Sequence, residues 1–191
     1  MKAKLAFGFV SGLLAFNASA QGTISFKNLN SSPAFNAPVY LSDGTTRAAG
    51  SQYVAWLMAG TTANNLALVP GVPTPFLTGG AAGYFSGGVV TMSGIPGGST
   101  AFIQVIFWNL AAGATFPFAQ GSSLGDSWGE SSVFSVVTAD PSATPPTPPA
   151  FLAGLGTRPL IFVGPAIPEP STWAMFNLAI VASFFLRRRS N

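Results

Sequence analysis

Apolar and polar residues alternate by twos through most of this chain, in short segments cut off by clusters of Gly, Pro, Ser and Asn. A period of two puts every second side chain on one face of a strand. Residues 23–29 follow it, with Ile24 and Phe26 on one face and Ser25 and Lys27 on the other. Residues 38–42 run into Asp43-Gly44, a tight-turn dipeptide. Residues 53–59 are apolar on both faces, as in a fully buried strand. Residues 89–93 follow a Gly87-Gly88 turn. Residues 101–109 carry the densest run of β-branched and aromatic side chains. There Phe102, Gln104, Ile106 and Trp108 share one face, Ile103, Val105 and Phe107 share the other, and either suits a core. Residues 132–138 and 159–163 complete the set. Short strands with turn signals between them predict an all-β fold, a β-sandwich of jelly-roll or immunoglobulin-like type with about 7–9 strands.

Helical periodicity is nearly absent from the middle of the chain. One short turn is expected where Thr115 caps residues 116–120 and Gly121 stops them. Residues 141–149 are too rich in proline for helix or central strand, because proline lacks the N–H donor and fixes φ. They predict an extended, polyproline-like surface connector. Residues 165–170 read as a second stiff spacer.

The two ends differ from this body. Lys2 and Lys4 precede an apolar stretch over residues 5–16, followed by Ala18-Ser19-Ala20. A positive start, a short apolar core and a small-residue site define a secretory signal peptide. Cleavage is expected after Ala20, leaving Gln21 first and engaging the Sec translocon and signal peptidase. At the other end stand Pro168-Glu169-Pro170, an apolar run over residues 173–186 and Arg187, Arg188 and Arg189. At the α-helical rise the run spans about 21 Å, short of a full bilayer core, so a transient stay in the inner membrane is expected. The arginines stop the segment on the cytoplasmic side and leave the body outside. The expected organisation is a signal helix over 1–20, a β domain over 21–164 and a tail ending in a hydrophobic helix over 165–191.

This tail resembles the PEP-CTERM sorting signal of Gram-negative bacteria. Pro168, Glu169 and Pro170 match its namesake motif, residues 173–186 its membrane segment, and Arg187, Arg188 and Arg189 its basic end. Asn177 departs from the Leu, Gly and Ala usual there. The resemblance implies that an exosortase processes the tail and that the product goes to the cell surface or the extracellular polysaccharide matrix. The body more loosely resembles uncharacterised PEP-CTERM proteins of Verrucomicrobia-like bacteria. The similarity lies in Ala37-Pro38-Val39-Tyr40-Leu41, Asp43-Gly44-Thr45, residues 83–88, residues 105–108 and residues 148–155. It implies no activity.

Charge narrows the function classes. Between the ends the chain has Lys27, Arg47 and Arg158 against Asp43, Asp126, Glu130 and Asp140, a net of minus one. Nucleic acid needs clustered cations along a face, and none cluster here. The chain has no Cys and no His. It therefore lacks disulfides, the usual general base and the usual zinc ligand. No cofactor, no metal and no catalytic residue are expected. Gly121-Ser122-Ser123-Leu124-Gly125 fits a hydrolase elbow in spelling, but no histidine could activate its serine. Asp126 and Glu130 are the only close carboxylates of the body and could serve a glycosidase only across a cleft. A calcium ion would need six to eight oxygens. The glycine pairs lack the lysine and helix of a phosphate cradle and read as hairpin turns.

Aromatic side chains remain. Trp56, Trp108, Trp128 and Tyr84 could stack on sugar rings, although strand aromatics more often pack a core. Trp128, among turn residues, and Tyr84 are the candidate glycan contacts, with exopolysaccharide as the candidate partner. The favoured reading is a non-enzymatic, exported structural or adhesive protein. The alternative is a carbohydrate-binding module.

Overall fold

The computed structural model describes residues 20–162 apart from Val72. The signal segment up to Ser19, the sorting motif and the arginine cluster lie outside the described residues. Within them the protein is all-β, with one short helix. The strands are β1 (Gln21–Lys27), β2 (Leu29–Ser31), β3 (Ala34–Asn36), β4 (Val39–Tyr40), β5 (Gly50–Thr62), β6 (Asn65–Leu68), β7 (Thr74–Phe76), β8 (Ser86–Pro96), β9 (Thr100–Asn109), β10 (Trp128–Glu130), β11 (Phe134–Val137), β12 (Ala150–Phe151) and β13 (Leu160–Ile161). The helix α1 (Phe116–Gln120) has Thr115 at its N-cap position and Gly121 at its C-cap. More strands form than expected, because seven of these thirteen have three residues or fewer. Such pieces are too short to show a period.

Two larger sheets carry the fold. One has the order β12-β1-β8, with β1 and β8 antiparallel and β1 and β12 parallel. The other centres on β5 and β9, antiparallel from Tyr53 opposite Asn109 to Gly60 opposite Phe102. The outer edge of β9 takes β10 along one half and β11 along the other. The outer edge of β5 takes β7 and β6 in the same way. Ser131 fills the break between β10 and β11. Its N–H donates to the carbonyl of Val105 at 2.8 Å, and its hydroxyl accepts from the N–H of Val105 at 3.0 Å. Val105 thus stays bonded where the ladder changes partner, as a buried backbone requires.

Both sheets contribute to one hydrophobic core. Ile24 and Phe26 of β1 and Met92 and Ile95 of β8 are buried with Ala55 and Leu57 of β5 and Ile103, Val105 and Phe107 of β9. The opposite face of β9 is buried as well. Ile106 and Trp108 join Val54 under α1, whose Phe116 and Ala119 cover them. The ambiguity over which face of residues 101–109 is core has a physical answer: both are, with different covers.

The proline-rich stretch differs from expectation. Residues 140–147 fold back on themselves instead of extending. The carboxylate of Asp140 accepts from the N–H and the hydroxyl of Ser142, and the Asp140 carbonyl accepts from the N–H groups of Ala143 and Thr147. Proline forbids the donors of a regular ladder but not this aspartate-centred turn, in which the Thr147 hydroxyl also accepts from the Asp140 N–H. Among the described residues no helix is long and apolar enough to cross a membrane.

Candidate functional site

Trp128 and Tyr84 occupy different environments, and neither stands free. Trp128 lies on a strand, not in the expected loop, with its Cα opposite Trp108. It is half-buried and meets Phe116 edge-on, with ring centroids 5.8 Å apart. The neighbouring Gly129 is buried so tightly that a Cβ there would lie 2.2 Å from the Phe107 ring. This close approach, invisible in the spelling Trp-Gly-Glu, docks β10. Tyr84 is only 9% exposed, and its hydroxyl donates to Asn36 Oδ1 at 2.8 Å. Neither its face nor its hydroxyl is open to a sugar, because Arg47 lies over the ring at 5.4 Å.

The other aromatic candidates form a stack. Trp56 and Trp108 are near-parallel at 6.1 Å, and Phe116 meets Trp108 edge-on at the same distance. Trp108 is fully buried, and its indole N–H has no hydrogen-bond partner among the described residues. Trp56 is half-buried, and its N–H donates to the carbonyl of Val69 at 2.9 Å. That bond turns the Trp56 ring into the wall of a groove.

The groove runs between the open edge of β8 and the β6–β7 side of the second sheet. Its main cavity, about 320 Å³, is lined by Phe26, Trp56, Val69, Pro70, Thr74 and residues 89–91 among others. A second cavity of about 210 Å³ shares Val69 and Pro70 with the first and continues along Met92, Ser93, Gly94 and Ile95. No ionisable side chain lines either cavity. Gly87 is needed here, since a Cβ would lie 2.6 Å from the Thr74 hydroxyl and 2.7 Å from the Phe26 ring. An aromatic wall, three threonines and no charge suit a neutral, hydroxyl-bearing ligand.

Asp126 and Glu130 sit in different settings. Asp126 adopts φ +54°, and its carboxylate accepts from the N–H of Ser42 at 2.5 Å. Glu130 is exposed at the end of β10. Neither residue lines the groove. The hydroxyl of Ser122 accepts from the N–H of Leu124 at 3.1 Å, as in an ordinary serine turn. Among the described residues no three His, Cys, Asp or Glu side chains come together as a metal site.

Two further groups escaped the sequence. Asn28 is fully buried, donates to the carbonyls of Ala37 and Gly83 at 2.8 and 2.9 Å, and accepts from the N–H of Phe85 at 2.8 Å. The alternation over residues 23–29 puts it on a strand and says nothing of these three bonds. Beside it, Arg47 is half-buried between the rings of Tyr40, 5.7 Å away, and Tyr84. A lone arginine after a turn gives no hint of that clamp.

Pro168, Glu169, Pro170, Arg187, Arg188, Arg189 and Ala18 lie outside the described residues. Ala20 is the first described residue, and its carbonyl accepts from the N–H of Gly97 at 2.8 Å. No protein-family model matches the chain, and no similar curated protein or solved structure was found.

Proposed function

We propose that this chain is an exported protein of the bacterial cell surface or extracellular matrix, sorted by an exosortase through its tail and carrying a non-catalytic, structural or adhesive β domain. The observation that carries the reading is the pairing of an export segment at one end with Pro168-Glu169-Pro170, an apolar run and three arginines at the other. In support, β1 begins at Gln21, the residue that cleavage after Ala20 leaves first. The body is a β-sandwich in this reading, since residues of both larger sheets meet in one core. The jelly-roll and immunoglobulin-like alternatives both remain within it. Fractionation of a tagged full-length chain tests the reading. The expected result is a product shortened at both ends and recovered outside the inner membrane. Full-length protein in the cytoplasm overturns it.

The groove favours a second reading, a carbohydrate-binding module for neutral polysaccharide. Its contact residue is Trp56 in place of Trp128 and Tyr84, because Trp56 walls a cavity with the Thr74 hydroxyl nearby. Stacking on one aromatic ring contributes about 0.5–1.5 kcal/mol beyond area burial, up to about tenfold in affinity. Glycan binding that drops about tenfold in Trp56→Ala and survives Trp128→Ala is the expected outcome. The reverse pattern rejects the groove.

A further inference from the structure

We propose that Arg47, clamped between Tyr40 and Tyr84, is a receptor for a single carboxylate carried on a sugar, a uronate residue in a sparsely charged glycan. This site is separate from the groove and does not depend on it.

The clamp fixes the guanidinium from several sides. Tyr40 and Arg47 face each other across the 41–46 loop as an antiparallel bridge. The Arg47 Nε–H points to the Tyr40 hydroxyl at 3.4 Å, and Nη1 points to the carbonyl of Ala82 at 3.5 Å. Both distances are long, so the rings do more of the holding than the hydrogen bonds. The side-chain stem lies on Gly83, where a Cβ would come within 3.2 Å of Arg47 Cδ. Tyr84 is itself held by Asn36. A planar fork with few conformations left loses little entropy when it takes a carboxylate through two parallel N–H bonds.

Among the described residues the fork has no carboxylate partner. The groups that act on Arg47 are Tyr40 first and then Tyr84, with no described carboxylate among them. The nearest acid in sequence, Asp43, is engaged by the N–H groups of Thr45 and Thr46 and by the Thr46 hydroxyl. A guanidinium carries five N–H donors and pairs most strongly with a carboxylate that takes two of them in parallel. Here the geometry keeps two weak bonds and leaves donors over.

Charge selects the ligand. The site offers one cation, and Asp43 stands on the adjoining loop. A densely charged polyanion or an acidic peptide would meet that carboxylate. One carboxylate surrounded by hydroxyls would not, and the exposed Ser42 and Thr45 match such a neighbourhood.

The test measures binding of the purified full-length chain to a glucuronate-containing oligosaccharide and to its neutral counterpart of equal length. The wild type should prefer the uronate by at least about tenfold, with the preference shrinking as salt rises. Arg47→Gln should abolish the preference. Arg47→Lys, which keeps the charge and most of the stem over Gly83, should lose most of it because an ammonium cannot fork. Free glucuronate should compete, which separates capture of the carboxylate from recognition of a polymer. Should Arg47→Gln fail to fold, the Arg47 Nε–H resonance of the wild type still decides: it should move on addition of glucuronate and stay put with glucose. Equal affinity for the two oligosaccharides, an unmoved resonance, or better competition by an oligoglutamate peptide overturns the proposal.

Discussion

Asn28 shows how one polar side chain can set a fold that apolar pattern only outlines. Its amide ties the turn after β1 to the carbonyls of Ala37 and Gly83 and to the N–H of Phe85, all in a dry setting. Each of these groups, left without a partner, costs about 1–3 kcal/mol. Asn28→Ala should therefore destabilise the domain by about 3 kcal/mol or more, read as a shift of the urea midpoint. Asn28→Asp should be no better, because a carboxylate cannot donate to two carbonyls. A midpoint unchanged in both variants would remove Asn28 from this role. Gly129 acts through absence instead. A methyl there collides with Phe107 and comes within 2.9 Å of the Ile161 carbonyl, so β10 can dock only where no side chain intervenes. Trp108 runs the other way: its buried N–H, without a partner among the described residues, is a cost set against the packing of its ring on Trp56 and Phe116. None of these three roles is legible in sequence. A buried Asn, a packing Gly and an orphaned indole are spelled like their surface counterparts, and only the facing strand tells them apart.

Single elements were far more legible where they are long. Residues 53–59 read as a strand buried on both faces and lie within β5, and residues 101–109 lie within β9. β-branched and aromatic side chains leave little choice there. The short helix over 116–120 was legible in its bounds, from Thr115 and Gly121, although the expected cap is not made: the Thr115 side chain at the N-cap position forms no hydrogen bond there. β2, β3, β6, β7, β10 and β12 were not, since two to four residues define no period and their pairing comes from the partner strand. The 41–46 loop is an element whose chemistry makes a pH prediction. The Thr46 hydroxyl, the Thr46 N–H and the Thr45 N–H hold the Asp43 carboxyl down at about 2. The unfolded value is about 3.9. A depressed folded value means that the loop's stabilisation is complete above the unfolded value and is lost as pH falls through the folded one. Wild type should exceed Asp43→Asn in loop protection against hydrogen exchange near pH 5, and the two should converge near pH 2. A carboxyl titration of Asp43 centred near 4 would contradict this. Asp140 is shifted in the same direction, by the hydroxyl and N–H of Ser142, and should follow the same order.

For the molecule as a whole, strand content was legible and assembly was not. Alternation gives each strand its faces but does not say that β1 lies beside β8 and β12, or that β10 and β11 share one edge of β9. Those pairings join segments far apart in sequence, and their stability comes from the core that they create together. The candidate sugar contacts failed to converge for the same reason. Trp128 and Tyr84 were singled out by local polarity, yet one packs under α1 and the other under Arg47, while Trp56 reached the groove through its bond to Val69. The shared core also carries a prediction about cooperativity. Ile24 of the first sheet and Ile103 of the second are both fully buried in the same cluster. Truncating either to Ala costs about 2–5 kcal/mol. If the sheets form one packed unit, each variant should lower a single transition. In a Trp173→Phe background, tryptophan fluorescence reports only the second sheet and its cover, since the other three tryptophans, Trp56, Trp108 and Trp128, lie on β5, β9 and β10. It should nevertheless coincide with the far-ultraviolet dichroism of all the strands in both variants. Two separated transitions, with Ile24→Ala leaving the fluorescence midpoint in place, would mean that the sheets fold apart and would end the sandwich reading.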